Sequence, residues 1–79
     1  MVTPESVKRG IEAGLACERV EVVGDGQHFQ ALVVSAEFTG RSRVQRHQLV
    51  YTALGDRMRE EIHALSIRTL TPDEWRGTK

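Results

Sequence analysis

"RVEVVGDGQHFQALVVSA", residues 19–36, contains two apolar runs divided by a glycine-rich break. In the first, Val20 and Val22 alternate with Glu21. In the second, Phe29, Ala31 and Val33 share one face of an extended chain, while Leu32 and Val34 share the other. Gly24-Asp25-Gly26 supplies the punctuation, so the stretch predicts an antiparallel hairpin with a glycine-rich turn. Apolar residues on both faces of the second run predict a central strand. "GDG" is too short for a nucleotide-binding fingerprint, and no GKS or GKT follows it.

Upstream, Thr3-Pro4-Glu5 has the form of a helix start: a hydroxyl cap, proline at the first helical position and an acid near the positive dipole end. Val7, Ile11 and Leu15 then repeat every four residues and define one buried stripe. Cys17 is expected near the end of this helix as a small, partly buried residue, because no activating partner accompanies it. Downstream, "RSRVQRHQ" is basic, and His47, Val50, Tyr51, Leu54, Met58 and Ile62 come at helical spacing. Gly55 interrupts this run, with Asp56 placed to cap a second helical piece. One kinked helix and two angled helices are equally compatible with that. "HALSIRTL" returns to alternation, with Leu65 and Ile67 inward and Ser66 and Arg68 outward. Thr71-Pro72-Asp73-Glu74 predicts a capping box opening a short last helix that carries Trp75. The expected order is α-β-β-α-(α)-β-α.

The chain has 79 residues, 39% apolar and 28% charged, with eleven cations balancing eleven anions. A core of this size supports one domain over residues 1–79 and leaves no room for a separate catalytic domain. Zero net charge argues against indiscriminate polyanion binding. The single cysteine excludes an internal disulfide and a four-ligand zinc site built from cysteines or from two cysteines and two histidines. The first ten residues lack a signal-peptide core, and no segment approaches the roughly 20 apolar residues of a membrane span. A cytoplasmic location, without membrane attachment, is the expectation.

"HF" at 28–29, the F-x-G-x-S-x-V-x-R-H pattern at 38–47, "IHALSI" at 62–67 and "TPDEW" at 71–75 together resemble the BolA family. The resemblance runs from about Gly24 to Trp75. It implies an α+β fold similar to class II KH domains, with a three-stranded mixed sheet, helices on one face and a helix-turn-helix-like middle. It also implies a partner, a monothiol glutaredoxin, and a role in iron-sulfur cluster assembly, trafficking or iron sensing. In such heterodimers a [2Fe-2S] cluster is shared. By this resemblance His63 of "IHAL" and His28 beside the hairpin loop are the metal ligands, and the glutaredoxin cysteine and a glutathione thiolate complete the set.

The donor chemistry is consistent with that reading. Two imidazoles can serve one iron of a [2Fe-2S] cluster, with thiolates on the other. This chain offers only half of the four donors, so alone it is expected to bind no cluster and to exist as a monomer or weak homodimer. Spacing by itself identifies no metal site, since His28 and His63 lie 35 positions apart. A strand-end histidine taken alone is more often a hydrogen-bonded structural residue. His47, on the apolar stripe with Val50 and Tyr51, reads as a packed helix residue.

The competing reading is nucleic-acid binding through Arg41, Arg43 and Arg46, since BolA-like proteins have been linked to transcriptional regulation. Against it, "TGRS" has one glycine where the GxxG clamp of KH domains has two. An enzyme is not expected. Ser66 and His63 would project from opposite faces of a strand, and Glu60-Glu61 reads as a solvated pair.

Overall fold

The structure is a computed structural model that describes residues 3–25, 27–55 and 64–77. Helix α1 spans Pro4–Gly14, strands β1 and β2 span Arg19–Gly24 and His28–Val34, and helix α2 spans Arg43–Leu54. Strand β3, Ala64–Leu70, and a short helix α3, Pro72–Gly77, complete the order. The extra helical piece expected after Gly55, with Met58 and Ile62, lies outside the described residues.

The sheet order is β1-β2-β3. The hairpin is antiparallel, with Val20 opposite Val33, Val22 opposite Ala31 and Gly24 opposite Phe29. Strand β3 runs parallel to β2, pairing Phe29 with Leu65 and Ala31 with Ile67. The sheet is therefore mixed and β2 is central, as its two apolar faces predict.

One sheet face carries Val20, Phe29, Ala31 and Val33. It packs with Val7 and Ile11 of α1 and Val50 and Leu54 of α2, all buried, to form the core. Gly14 marks the close approach of the two helices: a Cβ there would lie 2.7 Å from Ala53 Cα. Val34 faces away from this core yet is also fully buried. It pairs with Arg19 and Leu70 at the end of the sheet where the Arg19 guanidinium lies 5.3 Å from the Trp75 ring centre of α3.

The ends of the elements reflect the local chemistry. Thr3 and Ser6 cap α1 reciprocally, Ser42 and Gln45 cap α2 in the same way, and Gly55 terminates α2 at φ 60°. Glycine adopts that positive-φ backbone without the Cβ penalty other residues meet. Buried Ser35 closes the end of β2, donating from Oγ to Ala16 O at 2.6 Å and accepting from Glu37 N at 3.1 Å. Two expectations need adjustment. Helix α1 stops at Gly14, which leaves Cys17 in the connection to β1, half-buried as expected. Tyr51 is 39% exposed rather than on the buried stripe, because the buried residues of α2 are Val50 and Leu54.

The predicted box at Thr71 is present: Thr71 N donates to Glu74 Oε1 at 2.8 Å, and Glu74 N donates to Thr71 Oγ1 at 3.1 Å. Arg46 Nη1 donates to the same carboxylate oxygen at 2.7 Å. That guanidinium, followed by the Thr71 N–H, holds the Glu74 carboxyl below its ordinary range. A depressed pKa means the native state binds fewer protons than the unfolded chain. The stabilisation is present above the ordinary glutamate value and is lost as pH falls through the folded value. Melting curves at about pH 7 and about pH 3 should thus differ less for Glu74→Gln than for the native chain; an unchanged difference would remove Glu74 from the acid response.

Candidate metal-ligand site and basic concavity

His28 is the first residue of β2, directly after the hairpin turn, and its side chain is 73% exposed. Asp25 builds that turn. Its Oδ1 accepts from both Gln27 N and His28 N at 2.9 Å, while its own N–H donates to His28 O at 3.2 Å. These backbone donors, His28 first and then Gln27, hold the Asp25 carboxyl below its ordinary range. The second oxygen, Oδ2, stands 3.9 Å from His28 Nδ1.

Across the sheet, His28 pairs with Ala64, and Ala64 N donates to Gln27 O at 3.2 Å. Ala64 comes directly after His63 in the chain, so the parallel pairing sets the neighbour of His63 in sequence opposite His28. His63 itself lies outside the described residues. Among the described residues, no group of three or more His, Cys, Asp and Glu side chains is arranged to hold a metal ion. The His28 side chain is accessible from solvent.

Cys17 is unsuited to complete that set. It precedes β1, whose Arg19 pairs with Val34, whereas His28 opens β2 at the other end. At about 3.3 Å per residue the intervening strand is roughly 20 Å long. The thiol donates to Leu15 O at 3.3 Å, and burial, with Glu12 and Glu37 nearby, pushes its pKa up to about 11. Metal binding requires the thiolate, which this environment disfavours.

The three arginines occupy the opposite end of the sheet from His28. Together with Thr69, Leu70 and Glu74 they line a concavity of about 360 Å³. Arg43 is exposed, and Arg41 is exposed with its Nε donating to Glu37 O at 2.9 Å. Arg46 differs from both. Its side chain is 15% exposed, its Nε donates to Arg41 O at 3.0 Å, and its guanidinium reaches Thr69 O and Glu74 and lies 6.0 Å from the Phe38 ring centre. It ties α2, the preceding turn, β3 and α3 together. From sequence it reads only as a surface cation, because nothing in "RSRVQRH" announces a carbonyl 23 positions away. His47 is half-buried and meets Tyr51 edge-on at 6.5 Å between ring centres.

A three-stranded mixed sheet of order β1-β2-β3, two helices over one face and an exposed histidine at the start of β2 define an α+β domain. The family model described as "BolA-like protein" matches residues 3–74, and the chain belongs to the BolA family. It is 45% identical over 62 residues to the acid stress protein IbaG of Escherichia coli K12, covering 77% of this chain and 74% of that protein. It is 42% identical over 54 residues to the DNA-binding transcriptional regulator BolA of Haemophilus influenzae, covering 68% of this chain. That match spans about half of the Haemophilus protein, 52%. A solved structure of a bolA protein homologue from Coxiella burnetii superposes with a TM-score of 0.89 at 49% identity, covering 96% of this chain and 99% of that one. Among the described residues, no helix is long and apolar enough to cross a membrane.

Proposed function

We propose that this protein is a non-enzymatic partner of a monothiol glutaredoxin. It would lend His28 and His63 as imidazole ligands to a [2Fe-2S] cluster whose remaining donors are the glutaredoxin cysteine and a glutathione thiolate. The observation that carries the reading is the exposed His28 imidazole, held in register with the residue that comes after His63. The thiol at Cys17, remote and kept protonated, supports it from the other side: the chain has no suitable sulfur of its own at this site. Neutral imidazole binds iron and imidazolium does not, so acidification should lower occupancy. An imidazole in place of a thiolate also removes negative charge and raises the cluster potential, which suits transfer or sensing. Adding this protein to a cluster-loaded glutaredoxin homodimer should convert its visible circular-dichroism spectrum to a new one. A spectrum that stays that of the homodimer would refute the partnership.

The second reading is binding of DNA or RNA at the basic concavity. It is favoured by Arg41 and Arg43, both exposed at the rim, and by the DNA-binding name of the Haemophilus relative. Arg46, engaged internally, is the weakest contributor to it. Because the concavity and His28 lie at opposite ends of the sheet, the two readings separate experimentally. Arg41→Ala with Arg43→Ala should reduce the salt slope of nucleic-acid affinity and leave the glutaredoxin spectrum unchanged.

A further inference from the structure

We infer that Asp25 is a positioning residue for His28: it fixes the ring tautomer so that Nε2, not Nδ1, is the atom presented to metal. This inference deepens the cluster reading above and rests on it for its biological purpose, but the geometry stands alone. One carboxylate oxygen is anchored by two backbone N–H groups, at Gln27 and His28. That anchoring aims the other oxygen at the Nδ1 side of the imidazole, 3.9 Å away. The reciprocal bond from Asp25 N to His28 O locks both residues into one turn. A carboxylate can only accept, so of the two neutral tautomers the one with the proton on Nδ1 is favoured by the oxygen that stands 3.9 Å away. In that tautomer Nε2 carries the unprotonated lone pair. Carboxylate–histidine–metal triads use this arrangement to orient the ring and raise its donor strength.

The chain without any cluster, at a pH where His28 is neutral, tests the tautomer directly through the ¹⁵N shifts of the two ring nitrogens. The native protein should show Nδ1 protonated. Asp25→Asn keeps an oxygen for the two backbone N–H groups but turns an amide N–H toward Nδ1. The ring should therefore switch to Nε2–H while the Gln27 and His28 amide shifts stay in place. Asp25→Ala should lose those amide shifts as well. In the glutaredoxin mixture, Asp25→Asn should weaken cluster retention on the order of ten-fold, as outer-shell changes at metal-bound histidines do. A native ring protonated on Nε2, or a cluster held equally well by Asp25→Asn, overturns the inference. If instead His28→Ala leaves the cluster spectrum unchanged while the native tautomer is Nδ1–H, the ligand reading fails and the turn geometry survives.

Discussion

Alanine at His28 is expected to leave the fold intact and to abolish the spectrum of the mixed cluster. The side chain is 73% exposed, and the turn bonds at this position use its backbone N–H and C=O, which alanine retains. Exposed substitutions of this kind change stability by no more than about 0.5 kcal/mol. In a domain of this size that is a shift of about 2–4 °C in melting temperature. Under the proposed ligation, loss of one of four cluster donors would be a far larger perturbation, because the iron it served would be left open to water or thiol. His63→Ala should have the same effect on the cluster, and the double variant should be no worse than either single one, since the ligands act as a unit. His28→Cys should retain a cluster at lower potential, a thiolate having replaced an imidazole. Visible circular dichroism of the glutaredoxin mixture reads all four variants. An unchanged spectrum with His63→Ala would remove that residue from the ligand set.

The largest effect on folding is expected from Phe29→Ala. Phe29 is 1% exposed, comes directly after His28, sits opposite Gly24 and pairs with Leu65 on the central strand. Truncating a buried phenylalanine costs about 3–5 kcal/mol in lost transfer energy and residual cavity. Small domains hold roughly 5–15 kcal/mol in total, so much of the native stability would be gone. Urea titration should show a lower midpoint with an unchanged slope. Gly24 offers a complementary test, because a Cβ there would lie 2.4 Å from Phe29 Cδ1 and 2.6 Å from His28 O. Gly24→Ala should destabilise through both contacts. Combined with Phe29→Leu, which shortens the ring's reach, its added cost should fall below the sum of the single changes. Strict additivity would mean that the glycine is required for backbone reasons alone.

The residues that announced themselves were those whose role is periodic or local. Alternation in residues 19–36 carried the hairpin and the central position of β2. Hydroxyls trailed by proline, or by an acid three positions on, carried the starts of α1 and α3, whereas the Ser42 and Gln45 cap of α2 was not read. What stayed hidden depends on contacts between distant segments. Tyr51 fits a helical stripe in one dimension, yet the buried line of α2 runs through Val50 and Leu54, and no local pattern distinguishes the two. Arg46 looks like its neighbours Arg41 and Arg43, but its guanidinium bridges to Thr69 and Glu74 once β3 and α3 are in place. Asp25 reads as turn punctuation, and only the hairpin geometry turns its carboxylate toward the imidazole. The candidate ligands were nominated through family motifs rather than spacing, because nothing local in the sequence announces the parallel pairing that sets His28 opposite Ala64.

Iron and acid-labile sulfide content after anaerobic reconstitution, measured on the purified chain alone and with a monothiol glutaredoxin plus glutathione, tests the central claim most directly. Half a ligand set should leave the lone chain without a stoichiometric cluster, and the mixture should hold one [2Fe-2S] unit per heterodimer. A full complement of iron and sulfide on the chain alone, with no partner and no added thiol, would contradict it.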